Sequence, residues 1–262
     1  MVDLGMPTLI ELPELEDRTA LCRELGLQFL ELNMDLPQYQ VSAIDPTRFQ
    51  AAAEAYGLYY TIHLSENLNV CSFDPLVAEA YRHTVELTIH LAKQLHIPVL
   101  NMHLSPGVYF TLPNRRVYVF EECQDCYFQF LRIFRDECEA AIGQADLKIC
   151  VENTTGYTAF QQQALAMLLE SHSFALTLDI GHSHWAACRD EPFLLEHSKR
   201  LHHFHLHDAV GQWDHLPLGT GEINLKKYLA LANHPGNRAV LETKSVDGLR
   251  QSVSWLQAQH LF

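Results

Sequence analysis

The segment from Leu147 to His182 reads LKICVEN (147–153), TTGYT, AFQQQALAMLLE (159–170), SHS and FALTLDIGH (174–182). An apolar run closing on Glu152, a stretch of helix formers and a second apolar run closing on Asp179 make one β-α-β unit. Two strands joined through a helix lie parallel, because the helix carries the chain back to the starting edge. The unit recurs in both directions. Upstream, predicted strands at Leu4–Leu9, Gln28–Met34, Leu58–Leu64 and Pro98–Leu104 precede predicted helices at Leu15–Leu25, Pro46–Tyr56, Pro75–Leu95 and Phe120–Ala141. Downstream, a predicted helix at Phe193–Arg200 follows the second strand of the quoted unit. Predicted strands at Leu201–His207 and Ala239–Thr243 then precede predicted helices at Leu225–Ala232 and Val246–Gln259.

Eight such units in 262 residues, with no Gly/Ser linker or charge block between them, predict one α/β domain over residues 1–262, a single (β/α)8 TIM barrel. A doubly wound open sheet carries a glycine-rich first turn, and Gly5-Met6-Pro7 is not one. Hydrophobic side chains at 48% against 19% charged ones suit a packed core. The 32 acidic and 18 basic residues give a net charge of −14 with scattered Lys and Arg, which disfavours nucleic acid as a partner. No apolar run reaches the ~18 residues of a membrane-spanning helix. Asp3, Pro7 and Glu11 stand where a secretory leader has a basic start and an unbroken apolar stretch, so a cytoplasmic location is expected. An odd set of seven cysteines suits reduced thiols, and the Cys123/Cys126 pair has no second pair at zinc-ribbon spacing.

The chemistry is concentrated at strand ends. Catalytic groups of such a barrel sit at the carboxyl ends of its strands, and here otherwise apolar strands close on His63, His103, Glu152, Asp179, His205 and Glu242. Successive members are 40, 49, 27, 26 and 37 residues apart, each step about one β-α unit. Alternation along a strand puts Thr61 with His63, Cys150 with Glu152, Thr177 with Asp179 and His203 with His205, so one residue from each strand can point into the mouth. Three imidazoles and three carboxylates converging without water or counter-ion would lose several kcal/mol each, and a divalent cation resolves this. The mixed nitrogen and oxygen donors suit zinc, manganese, iron or cobalt better than calcium or magnesium; zinc or manganese, one to three ions per chain, is expected.

The motifs His63-Leu-Ser, Asn101-Met-His103, Val151-Glu152-Asn153-Thr154, Leu178-Asp179-Ile-Gly-His182, His205-Leu-His207-Asp208, His215-Leu-Pro-Leu-Gly219-Thr-Gly221 and Leu241-Glu242-Thr243 resemble, in this order, the xylose-isomerase-like barrel superfamily. That superfamily holds the endonuclease IV (apurinic endonuclease family 2) enzymes and many sugar or sugar-phosphate isomerases and epimerases. The resemblance implies a four-ligand metal site of Glu152, Asp179, His205 and Glu242. It implies a second site of His63 and His103 with Glu152 bridging, as in the hydrolytic branch. His182 and His215 resemble ligands of that branch's third ion, whose aspartate position is Trp213 here. Asp214 is the neighbouring carboxylate that could serve, and His184 is an alternative to His182.

Two mechanisms compete. In one, a metal-activated water attacks a phosphoester. In the other, one ion polarises a ketose while Glu152 and Glu242, the catalytic pair implied by the resemblance, remove and return a proton on opposite faces. Because proton transfer needs no second cation, His63 and His103 place phosphoester hydrolysis first and isomerisation or epimerisation second. Abasic-site DNA cleavage ranks lower on charge, and a non-catalytic metal-dependent binding protein lowest, since none of the six principal ligands is missing. The expected substrate is small and phosphorylated or sugar-like. Lys244, Glu31, His207 and Asn153 are candidate substrate contacts, Glu31 alternatively orienting a histidine ligand or making a structural hydrogen bond, with Arg115 and Arg116 as further cations. His202 is expected to face the helices. Tyr109, Phe110, Trp185 and Trp213 are expected in loops at the mouth, and the Ser105–Val119 loop is long enough for a lid.

Overall fold

In the computed structural model, which describes residues 1–260, eight parallel strands close into a barrel. They are β1 (Asp3–Pro7), β2 (Phe29–Asn33), β3 (Tyr59–His63), β4 (Val99–His103), β5 (Lys148–Glu152), β6 (Phe174–Asp179), β7 (Leu201–Leu206) and β8 (Arg238–Leu241). Each pairs with its neighbours in sequence, and β1 closes the ring by pairing with both β2 and β8. The strands read as apolar runs because both faces are covered. Leu30, Leu32, Ile62, Leu100, Met102, Val151, Leu176, Leu178, Phe204 and Leu206 are buried in the layer shared with the helices. The alternate residues face the axis.

Register carries those axial residues to matched heights: Glu31 beside Thr61, Asn101 beside Cys150, His103 beside Glu152, and Asp179 beside His205. Deeper, towards the amino-terminal end, packing replaces polarity. Phe29 is fully buried against Gly5, where a Cβ would come within 2.4 Å of its ring. Tyr59 donates its hydroxyl to Asp3 at 2.8 Å, and the Arg238 guanidinium lies over the same ring.

Around the barrel run α1 (Leu15–Glu24), α2 (Pro46–Tyr56), α3 (Pro75–Gln94), α4 (Gln124–Ile142), α5 (Ala159–Leu168), α6 (Glu191–Glu196), α7 (Leu225–Ala232) and α8 (Val246–Ala258). Asp45-Pro46 and Asp74-Pro75 start α2 and α3 with a side-chain cap and a fixed φ at the first helical position. Thr158 and Gln161 form a capping box on α5.

Four local expectations change. The helix predicted from Phe120 breaks at Cys123 into a turn at Val119–Glu122 and α4, leaving Cys123 and Cys126 as exposed thiols. The helix predicted at Phe193–Arg200 is α6 followed by a 3₁₀ turn at Ser198–Arg200. An additional helix, Ile180–Trp185, follows β6 directly, because the Asp179 side chain accepts the His182 N–H and caps it. The presumed Ser105–Val119 loop contains a hairpin, Tyr109–Thr111 with Arg116–Tyr118, and a second hairpin pairs Asp208–Val210 with Trp213–Leu216. Among the described residues no helix is long and apolar enough to cross a membrane.

Candidate metal centre

Glu152, the last residue of β5, is the hub of the mouth. Its Oε2 lies 3.1 Å from His103 Nε2 and 3.4 Å from His63 Nε2. Its Oε1 lies 3.4 Å from His205 Nδ1 and 3.3 Å from His182 Nδ1. His205 Nδ1 is the second hub, 3.0 Å from Glu242 Oε2 and 3.8 Å from Asp179 Oδ2. Glu242 stands one residue past the end of β8.

These contacts have the spacing of hydrogen bonds without their alignment. His103 Nε2, His205 Nδ1 and Glu242 Oε2 are buried and lack a hydrogen-bond partner. Buried polar atoms left so cost about 1–3 kcal/mol each. Donors held by one zinc-sized ion at about 2.1 Å lie roughly 3.0–3.4 Å from one another, which is the separation most of these atoms show. Glu152, Asp179 and His205 form one group whose ligand atoms lie within 4.8 Å of one another; His63, His103 and Glu152 form a second, His207, His215 and Glu242 a third, and Glu31, His203 and His205 a fourth. The donor set of Glu152, Asp179 and His205 therefore suits a divalent cation, and Glu242 approaches it with Oε2 3.0 Å from His205 Nδ1.

The electrostatics agree. Burial opposes ionisation of Glu152, but the imidazoles of His205 and His103 outweigh it and hold the carboxyl well below its usual range. Burial acts on Glu242 in the same direction and is likewise overcome, chiefly by His205. Conversely, burial disfavours a charged His63, yet Glu152 beside it lifts the imidazole to about 9, and Asp179 and Glu152 lift His182 to about 10. This field concentrates positive charge in the mouth, as protons or as a metal that displaces them.

Several expected contacts have other roles. Glu31, open between a substrate hydroxyl and a histidine partner, is buried beside the histidines: its Oε1 lies 2.9 Å from His205 Nε2, while its Oε2 lies 2.8 Å from His203 Nε2 and accepts from Thr61. Its carboxylate thus orients the ring of a candidate ligand. Asn153 is also turned inward. Its amide donates to Asp179 O at 2.9 Å and Asp190 Oδ2 at 2.8 Å and accepts from Asp179 N, so both of its N–H donors are used within the protein. His207 is fully buried, with Nε2 3.1 Å from both Asp179 oxygens and Nδ1 accepting the His215 N–H. His215 stacks on it at 4.3 Å and brings Nε2 to 3.5 Å from Glu242 Oε1. Asp214 Oδ1 meets Nδ1 of that same His215 at 2.8 Å, so it supports a ligand-type histidine from behind. His184 turns away to Glu222, which leaves His182 as the histidine at the centre. Lys244 remains open to solvent, with Nζ 2.8 Å from Glu242 Oε1.

Three supporting residues carried no assigned role in the sequence. Asn101 is buried on the face of β4 that bears His103; it donates to Glu152 Oε2 and accepts from Thr177 Oγ1 at 2.6 Å, which fixes the hub carboxylate. Its shared strand face with His103 is the signal that finds it. Asp190 joins Asn153 to Ser183 from a loop that no periodicity marks. Asp208 is buried and accepts backbone N–H groups from Ala209, Gly219, Gly221 and Ile223, tying the 217–223 loop to the hairpin that carries His215. A Cβ at Gly221 would come within 2.3 Å of Asp208 Oδ1.

In fold, the protein is similar to a D-tagatose 3-epimerase-like protein, with a TM-score of 0.78, 20% identity, and 99% of this chain and 98% of that chain covered. It is similar to 3-keto-D-glucoside 4-epimerase from E. coli, with a TM-score of 0.77, 13% identity, and coverage of 98% and 100%. It is also similar to D-allulose 3-epimerase from Methylomonas sp., solved with D-allulose, with a TM-score of 0.74, 14% identity, and coverage of 100% and 97%. At such identities the likeness is one of fold. No curated protein matches the chain significantly in sequence. The family model described as xylose isomerase-like TIM barrel matches residues 19–259, and with a closed eight-stranded barrel around this donor set the chain belongs to that family.

Proposed function

We propose that the protein is a divalent-metal-dependent isomerase or epimerase of a keto-sugar, the second of the two mechanisms weighed from sequence, in place of the phosphoester hydrolase expected first. The observation that carries this is the convergence of Glu152 and Glu242, from strands on different sides of the mouth, on the one nitrogen His205 Nδ1, at 3.4 and 3.0 Å. The similar folds named as sugar epimerases support the same reading over hydrolysis. Glu152, Asp179, His205 and Glu242 would hold the cation, which when bound would polarise a carbonyl and its neighbouring hydroxyl. Glu152 takes the proton from the carbon beside the carbonyl, and Glu242 returns one from the other face. Glu152 is kept ionised by the surrounding imidazoles, as a proton acceptor must be, whereas Glu242 must first take up from water at the mouth the proton that it returns. Lys244 steadies Glu242 from the solvent side, Asn101 fixes Glu152, and Glu31 fixes the His205 ring.

Hydrolysis keeps one specific observation in its favour: His63 and His103 both face the same oxygen of Glu152, as ligands of a second ion would. Metal analysis of the purified protein separates the readings, with one ion per chain expected for isomerisation and two or three for phosphoester cleavage. A ketohexose panel assayed in D₂O then reports deuterium at the epimerised carbon. His103→Ala is expected to retain that exchange. Loss of exchange in this variant, together with wild-type cleavage of a bis-phosphodiester, would overturn the proposal.

A further inference from the structure

We propose that the cavity beside the metal centre, beneath the Tyr109–Tyr118 hairpin, is a subsite for an anionic substituent, phosphate or carboxylate, on the keto-sugar that reacts at the centre. The inference rests on the keto-sugar reading above and adds the class of substrate. The cavity has a volume of about 360 Å³. Its place follows from the chain: Ser105 is two residues beyond His103, Thr155 three beyond Glu152, and Trp185 closes the helix that carries His182. It therefore lies on the side of the mouth that carries His103, Glu152 and His182, with Leu104 in its lining directly after His103.

Two guanidinium groups line it, those of Arg116 and Arg189. Arg189 donates Nε–H to Ala186 O at 3.0 Å and a terminal N–H to Thr155 O at 2.9 Å. Those bonds fix its plane and leave three of the five donors of an arginine for a ligand. It packs on Gly156, where a Cβ would lie 3.1 Å from Arg189 Nε, so a side chain at that position would crowd the guanidinium. Arg116 lies over the Tyr109 ring at 4.7 Å. Among the described residues neither arginine forms an ion pair with a carboxylate: Arg189 is held by two carbonyl oxygens and Arg116 by the Tyr109 ring. The one acidic residue of the lining, Glu121, is engaged by the Thr158 hydroxyl at 3.4 Å. Planar forks of this kind match the oxygens of a phosphate or carboxylate. The half-exposed Trp185 ring offers an apolar face for the C–H side of a sugar. The other cation near the mouth, Lys244, is already neutralised by Glu242.

Calorimetric titration of the metal-loaded full-length chain with D-fructose, D-fructose 6-phosphate and D-fructuronate tests this. At least one anionic ketose is expected to bind roughly tenfold or more tightly than D-fructose, and which one does so identifies the anion. Arg116→Gln and Arg189→Gln are each expected to lower that ratio severalfold, and the double variant to bring it towards one. Arg189→Lys, which keeps the charge but loses the fork, falls between. Arg116 lies on an exposed hairpin, so its variant tests the proposal even if Arg189→Gln fails to fold. Equal affinity for all three sugars overturns the proposal, as does no binding of either anionic ketose. So does a preference that survives the double variant or vanishes in Lys244→Gln. Because binding is read without turnover, arginine-dependent binding with no epimerisation would count against the proposed reaction and leave the subsite standing.

Discussion

The two ends of the barrel interior follow different rules. At the amino-terminal end a phenyl ring fills the axis against Gly5, and the Tyr59 hydroxyl is bound by Asp3. At the carboxyl-terminal end imidazoles and carboxylates meet at 3.0–3.8 Å with several atoms lacking an aligned partner. One end is intolerant of volume, the other of altered charge. That division is general to barrels whose active sites sit at one face, and here the residues on which it turns can be named.

The largest effect is expected at the mouth. Glu152→Gln keeps the shape and removes the charge, so turnover of the ketose substrate should fall by about 10²–10⁴-fold, read as loss of solvent deuterium incorporation. The unfolding midpoint of the metal-free protein should move much less. Gly5→Ala is the converse. Its Cβ meets the Phe29 ring at 2.4 Å, so urea unfolding should show a loss of about 1–3 kcal/mol while metal stoichiometry is unchanged. Equal damage to stability from both variants would erase the contrast.

Glu31→Gln probes the layer between the two ends. Loss of the carboxylate behind His205 should weaken metal binding about 10–100-fold in a chelator competition on the folded protein. Undiminished affinity would return Glu31 to a purely structural role. The smallest effect is expected far from the axis, at the exposed Arg250–Glu24 pair, whose bonds of 2.6 and 3.0 Å are open to solvent. Arg250→Ala should leave both the unfolding midpoint and metal affinity unchanged within error.

Strand alternation made the ring of His63, His103, Glu152, Asp179, His205 and Glu242 readable before any coordinates, because a period of two fixes which residues share a face. Depth along the axis was not readable. Stagger sets Glu31 beside Thr61, whereas Asn153 and His207, just beyond the ends of β5 and β7, are drawn inward by bonds to Asp190 and Asp179 that no periodicity reveals. The helix at Ile180–Trp185 was missed for a related reason: its start is set by the Asp179 side chain, a single capping interaction too short for any periodic signal. The Asn101 amide shows the opposite case, a residue whose strand position was legible and whose role emerged only from its partners, Glu152 and Thr177.

The four amide bonds gathered by Asp208 make one side of the rim behave as a fixed jamb. Backbone protons of Gly219, Gly221 and Ile223 should therefore exchange with solvent slowly for a surface loop. Across the opening, Val108, Phe110 and Leu112 on the other hairpin are exposed. Traffic into the mouth is then expected to be one-sided, with the hinge of any opening movement in the Tyr109–Tyr118 arm and the Asp208 side standing still.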